Sequence, residues 1–135
     1  MKNSILELKT PDEAEAIFYE AFRHCDKDVM AALWAEGDVV CVHPSSGAIV
    51  GHEAVVRSWA HIFTGASMPD IKITVGKRTV SADLAVHLVT EEIATAGEAA
   101  VVFCTNVYQK FDSGWFMIEH HASVVPSRAQ GQTLQ

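Results

Sequence analysis

The apolar residues change period at Met68-Pro69-Asp70, from helical spacing before it to strict alternation after it, and this single switch narrows the folds open to the chain. Upstream, Thr10 stands as an N-cap with Pro11 at the first helical position and Glu13 three residues after the cap, which together read as a capping box. Ala14, Phe18, Ala21 and Cys25 then recur at helical spacing, flanked by Ile17 and Phe22, so one face of this helix is built for burial. Asp26 is expected to cap a second, short helix through Met30, Leu33 and Trp34, with Gly37 beyond its end. Val39 to His43 reads as a strand closed by the turn Pro44-Ser45-Ser46-Gly47, and Gly51 opens a third helix with Val55, Trp59, Ile62 and Phe63 on one side.

Downstream, Ile71, Ile73 and Val75 alternate with polar partners, and Ser81-Ala82-Asp83 breaks this run from a second, Leu84 to Ala94. Gly97 marks the next turn, Ala99 to Phe111 is a third run, Asp112-Ser113-Gly114 a hairpin turn, and Trp115 to Val125 the last strand. Helices first and long hairpin-linked strands afterwards mean an α+β chain rather than a parallel, doubly wound one. The strands carry apolar residues on both faces, so helices are expected over one face and a second copy of the chain over the other.

With 135 residues and 49% hydrophobic content, the chain has the size and composition of one domain with a real core. The expected division is a short extension at 1–9, a single domain at 10–125 and a polar, frayed tail at 126–135. Seventeen acidic against ten scattered basic residues, a net charge of -7, argue against nucleic acid as a partner. No apolar run reaches the roughly 18 residues of a membrane span, and MKNSILELKT lacks the pattern of a secretory signal. Cys25, Cys41 and Cys104 form an odd set with no CxxC pair, which speaks against disulfides and thiolate zinc sites and for a reducing cytoplasm. Without a Gly-rich phosphate loop, no nucleotide cofactor is expected.

Polar residues embedded in apolar strands are the candidates for function: His43, the Glu91-Glu92 pair, Asn106 and Tyr108, and Glu119, His120, His121 and Ser123. On the last strand only one of the two adjacent histidines can point inward. If Ser113 and Gly114 are the central turn residues, Tyr108 faces Glu119 and Asn106 faces His121; a three-residue loop would bring Asn106 opposite His120 instead. Such groups can form a hydrogen-bonded network that only holds strands in register, but several on neighbouring strands are costly to bury unless they line a cavity. The aromatic residues Phe18, Trp34, Trp59 and Phe63 have core spacing and can equally be the wall of a small-molecule pocket. His24, His52, His61 and His87 read as surface or helix-face residues, and no metal site is demanded, since neither the adjacent histidines nor the set His43, Glu91 and His121 has ligand spacing.

Four stretches, ALWAEGDVVCVHPSSGAIVGHEAVVRSW, the run ending in VTEE, CTNVYQKFDSGWFMI and EHHASVV, resemble the NTF2-like superfamily and in particular its SnoaL-like branch. That resemblance implies a cystatin-like α+β cone, a curved antiparallel sheet wrapped around about three N-terminal helices, which serves isomerases, hydrolases, dehydratases, cyclases and non-catalytic assembly modules alike. Where the ketosteroid isomerase branch has an Asp-Pro pair after the first strand, this chain has His43-Pro44, and a histidine can also act as base. The oxyanion-holding tyrosine of that branch falls on Phe18, with Tyr19 about 100° further round the helix. The Asp-Arg-Asp set of the superfamily's epoxide hydrolases has no counterpart here.

Two functions are compatible with this pattern. In the first, a cofactor-independent enzyme acts on a small apolar carbonyl compound, with His43 or His121 shuttling a proton, Glu91 orienting the imidazole, and Asn106 or Tyr108 donating to an oxyanion. Trp34, Trp59, Phe63 and Phe18 would form its pocket wall. In the second, the chain is a non-catalytic ligand-binding or assembly module that forms a homodimer through the outer sheet face.

Overall fold

Thr10 Oγ1 accepts the Glu13 N–H at 3.1 Å and Glu13 Oε1 accepts the Lys9 N–H at 2.7 Å, so the start of helix α1, Pro11–Arg23, is closed from both sides. Asp26 caps α2, Lys27–Leu33, through the Val29 N–H at 3.1 Å. Gly51, at φ 105°, precedes α3, His52–Thr64, in the left-handed region that a glycine tolerates. The computed structural model describes residues 6–65 and 67–126; all of the expected tail but Pro126 lies outside them.

The strands are β1 (Val40–Val42), β2 (Ala48–Val50), β3 (Asp70–Val80), β4 (Leu84–Thr95), β5 (Glu98–Phe111) and β6 (Gly114–Val124). They form one open, curved sheet in the order β2-β1-β6-β5-β4-β3. All neighbours are antiparallel except β1 and β6, which run parallel with Cys41 beside His120. Sequence analysis did not anticipate β2, three residues too short to show a pattern, nor the parallel pairing of two elements about eighty residues apart in the chain.

Two register shifts bend the sheet: one in β3 between Val75 and Lys77, and one in the β5–β6 pair, where Tyr108 faces Met117 but Val107 faces Glu119. The three helices fill the concave face, where Phe18, Tyr19, Met30, Leu33, Trp34, Val55 and Trp59 form one core with Val89, Tyr108, Trp115 and Met117. Each fully buried large side chain of this set contributes about 1.5–3 kcal/mol. This is the expected α+β cone. Beside the β5–β6 turn the segment before α1 is drawn in: Leu8 is buried, and its carbonyl accepts the Trp115 N–H at 2.9 Å. Among the described residues no helix is long and apolar enough to cross a membrane.

Candidate functional site

The inner face of the sheet carries Ala85, His87, Val89 and Glu91 on β4, Val102, Cys104, Asn106 and Tyr108 on β5, and Trp115, Met117, His120 and Ala122 on β6, all of them buried. Two polar clusters are set into this surface. The first is a chain of hydrogen bonds with one direction. Tyr19 Oη donates to Glu91 Oε2 at 2.6 Å and so has spent its hydrogen. It therefore accepts from Asn106 Nδ2 at 3.0 Å, which leaves Asn106 Oδ1 to accept from His120 Nδ1–H at 2.6 Å. His120 is thereby fixed as the Nδ1–H tautomer with Nε2 bare.

Burial raises the Glu91 carboxyl above the usual carboxylate range, against the opposing effect of hydrogen bonds from Tyr19 and Cys104. Burial likewise pushes the Tyr19 phenol and the Cys104 thiol up, helped by the Glu91 charge, and holds the His120 imidazole down at about 3, with His43 and His121 adding to the depression. At neutral pH the interior therefore holds a neutral phenol, a thiol and a neutral imidazole.

Aromatic rings cover this chain. The Phe18 ring lies 4.8 Å from Tyr19, 5.1 Å from His120 and 5.5 Å from Trp59, and Trp59 stands between two imidazoles, 5.7 Å from His120 and 4.8 Å from His43. His43, half-buried just beyond the end of β1, reaches Ser58 Oγ with Nε2 at 2.9 Å. Ser58 uses its own hydrogen on the Val55 carbonyl at 2.7 Å, so His43 Nε2–H donates and Nδ1 carries the lone pair, with Cys41 Sγ 3.9 Å away. Burial lowers its pKa. Beside it the Cys41 thiol is pushed up to about 12 by burial, the neighbouring Trp59 side chain acting the other way.

The second cluster ties α1 to the sheet. Glu15 Oε1 accepts from His87 Nδ1–H at 2.6 Å and Oε2 from Arg78 Nη2 at 2.7 Å. Burial raises the Glu15 carboxyl, but the bonds and charges of His87 and Arg78 outweigh it and leave the pKa lowered. Among the described residues His87 Nε2 and Tyr108 Oη are buried with no hydrogen-bond partner, the nearest carboxylate oxygen to the former being Asp12 Oδ1 at 3.8 Å, and the two rings are 5.0 Å apart.

The structure thus divides the expected site. His43, Glu91, Asn106, Phe18 and Trp59 converge. His121 does not: it lies on the outer face in an open groove of about 580 Å³ with Leu88, Phe103, Thr105 and Ser123. The physical reason is a turn displaced by one residue, with Phe111 facing Gly114 and Asp112 and Ser113 in the loop, followed by the bulge that makes Ile118 an extra residue. Together these put His120 opposite Asn106. Tyr108 belongs to the second cluster. Trp34 lines a separate cavity of about 300 Å³ with Ala31, Ala35, Phe111 and Phe116, and Phe63 sits where α1 and α3 end against β4, beside an apolar cavity of about 190 Å³ with Phe22, Ile62 and Ile93. His87, read from sequence as a surface residue, is 0% exposed, because it occupies an inner-face position of β4. Tyr19, Cys104 and Glu15 are not among the sequence candidates, and of the two adjacent histidines the inward one is His120. The alternation in LAVHLVTEEI placed His87 and Glu91 on one face, which was the available signal for the first of these corrections.

Comparison with known proteins gives this geometry its context. A family model described as a SnoaL-like domain matches residues 13–127. A structure from Thiobacillus denitrificans, named as a candidate calcium/calmodulin-dependent protein kinase type II association domain, is 31% identical with a TM-score of 0.84, covering 92% of this chain and 100% of that one. One from Streptomyces avermitilis, named as a candidate dehydratase of the NTF2-like family, is 28% identical with a TM-score of 0.79, covering 87% and 95%. Among curated proteins, the F-box protein SKIP8 of Arabidopsis thaliana is 28% identical over 109 residues, 80% of this chain and 46% of that protein, so the chain spans about half the length of this relative. With the cone, its helical filling and a family match over most of its length, the chain belongs to the SnoaL-like domain family of the NTF2-like superfamily.

Proposed function

We propose that the chain is a small-molecule pocket protein that carries out acid/base chemistry on a small, mostly apolar carbonyl compound. One observation carries this reading: the one-directional chain from His120 through Asn106 and Tyr19 to Glu91 is buried under Phe18 and Trp59, with His43 on the far side of Trp59. His43 acts as the proton carrier, because it is the imidazole of the pair that reaches solvent and its Nδ1 carries the lone pair. Asn106, whose amide nitrogen has a second hydrogen beyond the one given to Tyr19, donates to the developing oxyanion, and Tyr19 and His120 hold Asn106 in place. The ligand enters between the ends of α1 and α3, where the cavity beside Phe63 is apolar, and displaces the rings that close the interior. No cofactor takes part, and the site assigned from sequence to His121 passes to His120.

The test is exchange of α-hydrogens for deuterium in a panel of cyclic and aromatic ketones, followed by NMR, with Trp59 fluorescence reporting binding. Wild-type protein accelerates exchange of at least one ketone, and His43→Ala lowers that rate by about 100-fold or more while the protein stays folded. Quenching without exchange by any ketone would refute acid/base catalysis.

A second reading has its own support. The outer face of the sheet leaves Leu88, Phe103 (53% exposed) and Val124 open around the His121 groove, and the 31% identical neighbour is named for an association domain. On this reading the chain is an assembly module that forms a homodimer through that face. Phe103→Asp would then halve the mass measured by light scattering, whereas an unchanged mass would remove the outer face as the contact.

A further inference from the structure

We propose that Glu91, Cys104 and His120 form a binding site for one divalent transition-metal ion inside the cone. One ligand atom from each of the three lies within 4.8 Å of the corresponding atoms of the other two. They come from three neighbouring strands, β4, β5 and β6, on one face, so the spacing is held by sheet register rather than by loops: Cys104 faces Val89 on one side and Ala122 on the other, and His120 faces the residue two beyond it, Asn106.

The surroundings of two of the donors match those of ligating groups. His120 gives its Nδ1–H to the Asn106 carbonyl oxygen, which orients the ring and leaves Nε2 for a metal, as ligating histidines require. Glu91 receives Tyr19 on Oε2 and so keeps Oε1. A mixed nitrogen, sulfur and oxygen set suits zinc, cobalt or iron(II) and not calcium or magnesium, whose ligands are oxygens. Binding releases the Cys104 thiol proton, and the Glu91 proton where it is present, to solvent. The thiolate and carboxylate then balance the two positive charges of the ion, so a dry interior contains a neutral complex. Three protein donors leave a fourth position for water or for a carbonyl oxygen of a ligand. The spacing depends on His120 rather than His121 facing inward, a choice the sequence alone leaves open.

This proposal does not rest on the acid/base reading, and the two fail separately: ketone exchange can occur without metal, and metal can bind without exchange. The experiment unfolds the full chain in denaturant with chelator, refolds it with cobalt(II) or zinc(II), removes free metal, and measures the metal retained. The expected result is one equivalent per chain, with a cobalt spectrum showing a thiolate-to-metal charge-transfer band and tetrahedral d–d intensity. Cys104→Ser abolishes that band and weakens binding by about 100-fold or more, Asn106→Asp keeps an acceptor for His120 Nδ1–H and retains the metal, and Cys41→Ser retains the band. No metal retained on correctly refolded wild-type protein would overturn the proposal, as would a charge-transfer band that survives Cys104→Ser.

Discussion

Replacing Glu15 with alanine removes the acceptor that joins α1 to two strands at once. His87 is 0% exposed and Glu15 4%, so the lost 2.6 Å bond leaves His87 Nδ1–H in a dry environment, beside an Nε2 that already lacks a hydrogen bond. A buried donor left unsatisfied costs about 1–3 kcal/mol, and a bond to a charged acceptor contributes about 1.5–3 kcal/mol. Arg78, with a side chain 37% exposed, turns to water or toward Asp12 and adds little. The expected loss is therefore about 3 kcal/mol, which for a domain of this size lowers Tm by about 10 °C. Glu15→Gln keeps an acceptor for His87 and should lose about half as much. Urea unfolding of Glu15→Ala, His87→Leu and the double variant closes a cycle, in which the double variant should be less destabilised than the sum of the singles by about 1–2 kcal/mol. Additivity within about 0.5 kcal/mol would refute the assigned pairing.

Acid sensitivity has a predictable sign. The folded His120 pKa of about 3 lies below the ordinary 6.5, so the stability of the neutral ring is complete above pH 6.5 and is lost as pH falls from there toward 3, at about 1.4 kcal/mol per unit. His43, also lowered, acts in the same direction, whereas the raised Glu91 acts in the opposite one, losing stability as pH rises above 4.5. The difference between wild type and His120→Gln, measured by denaturant titration across this window, should therefore slope by about one proton; parallel curves would exclude a buried neutral His120. Gly114→Ala is expected to destabilise by about 2 kcal/mol, because φ is 131° and a Cβ would stand 2.6 Å from the Leu8 carbonyl oxygen. An unchanged urea midpoint would show that the chain before α1 does not press on this turn.

Local chemistry made most of the elements legible. Thr10-Pro11 and Asp26 cap helices where sequence places them, and the alternation after Asp70 delivers four long strands with near-correct ends. The capping box shows the limit of such reading: Glu13 reaches Lys9 rather than the backbone of Thr10 itself. His43, Glu91, Asn106, Phe18 and Trp59 were recognisable as polar or aromatic groups in apolar runs. His120 was not separable from His121, because the choice depends on a turn offset and a bulge, neither of which leaves a composition signal. Tyr19 was missed for a related reason: α1 is buried over more than one stripe, with Phe18 and Tyr19 both inside, so the angle between them did not divide core from solvent.

The extra residue at Ile118 also uncouples the two halves of the final strand. Trp115 and Met117 take their phase from the hairpin, while His120 and Ala122 take theirs from the parallel partner Cys41 and from β5. A length change in the Asp112-Ser113 loop can thus be absorbed locally at the bulge, so that a chain of this kind can vary its tip without turning its imidazole inside out.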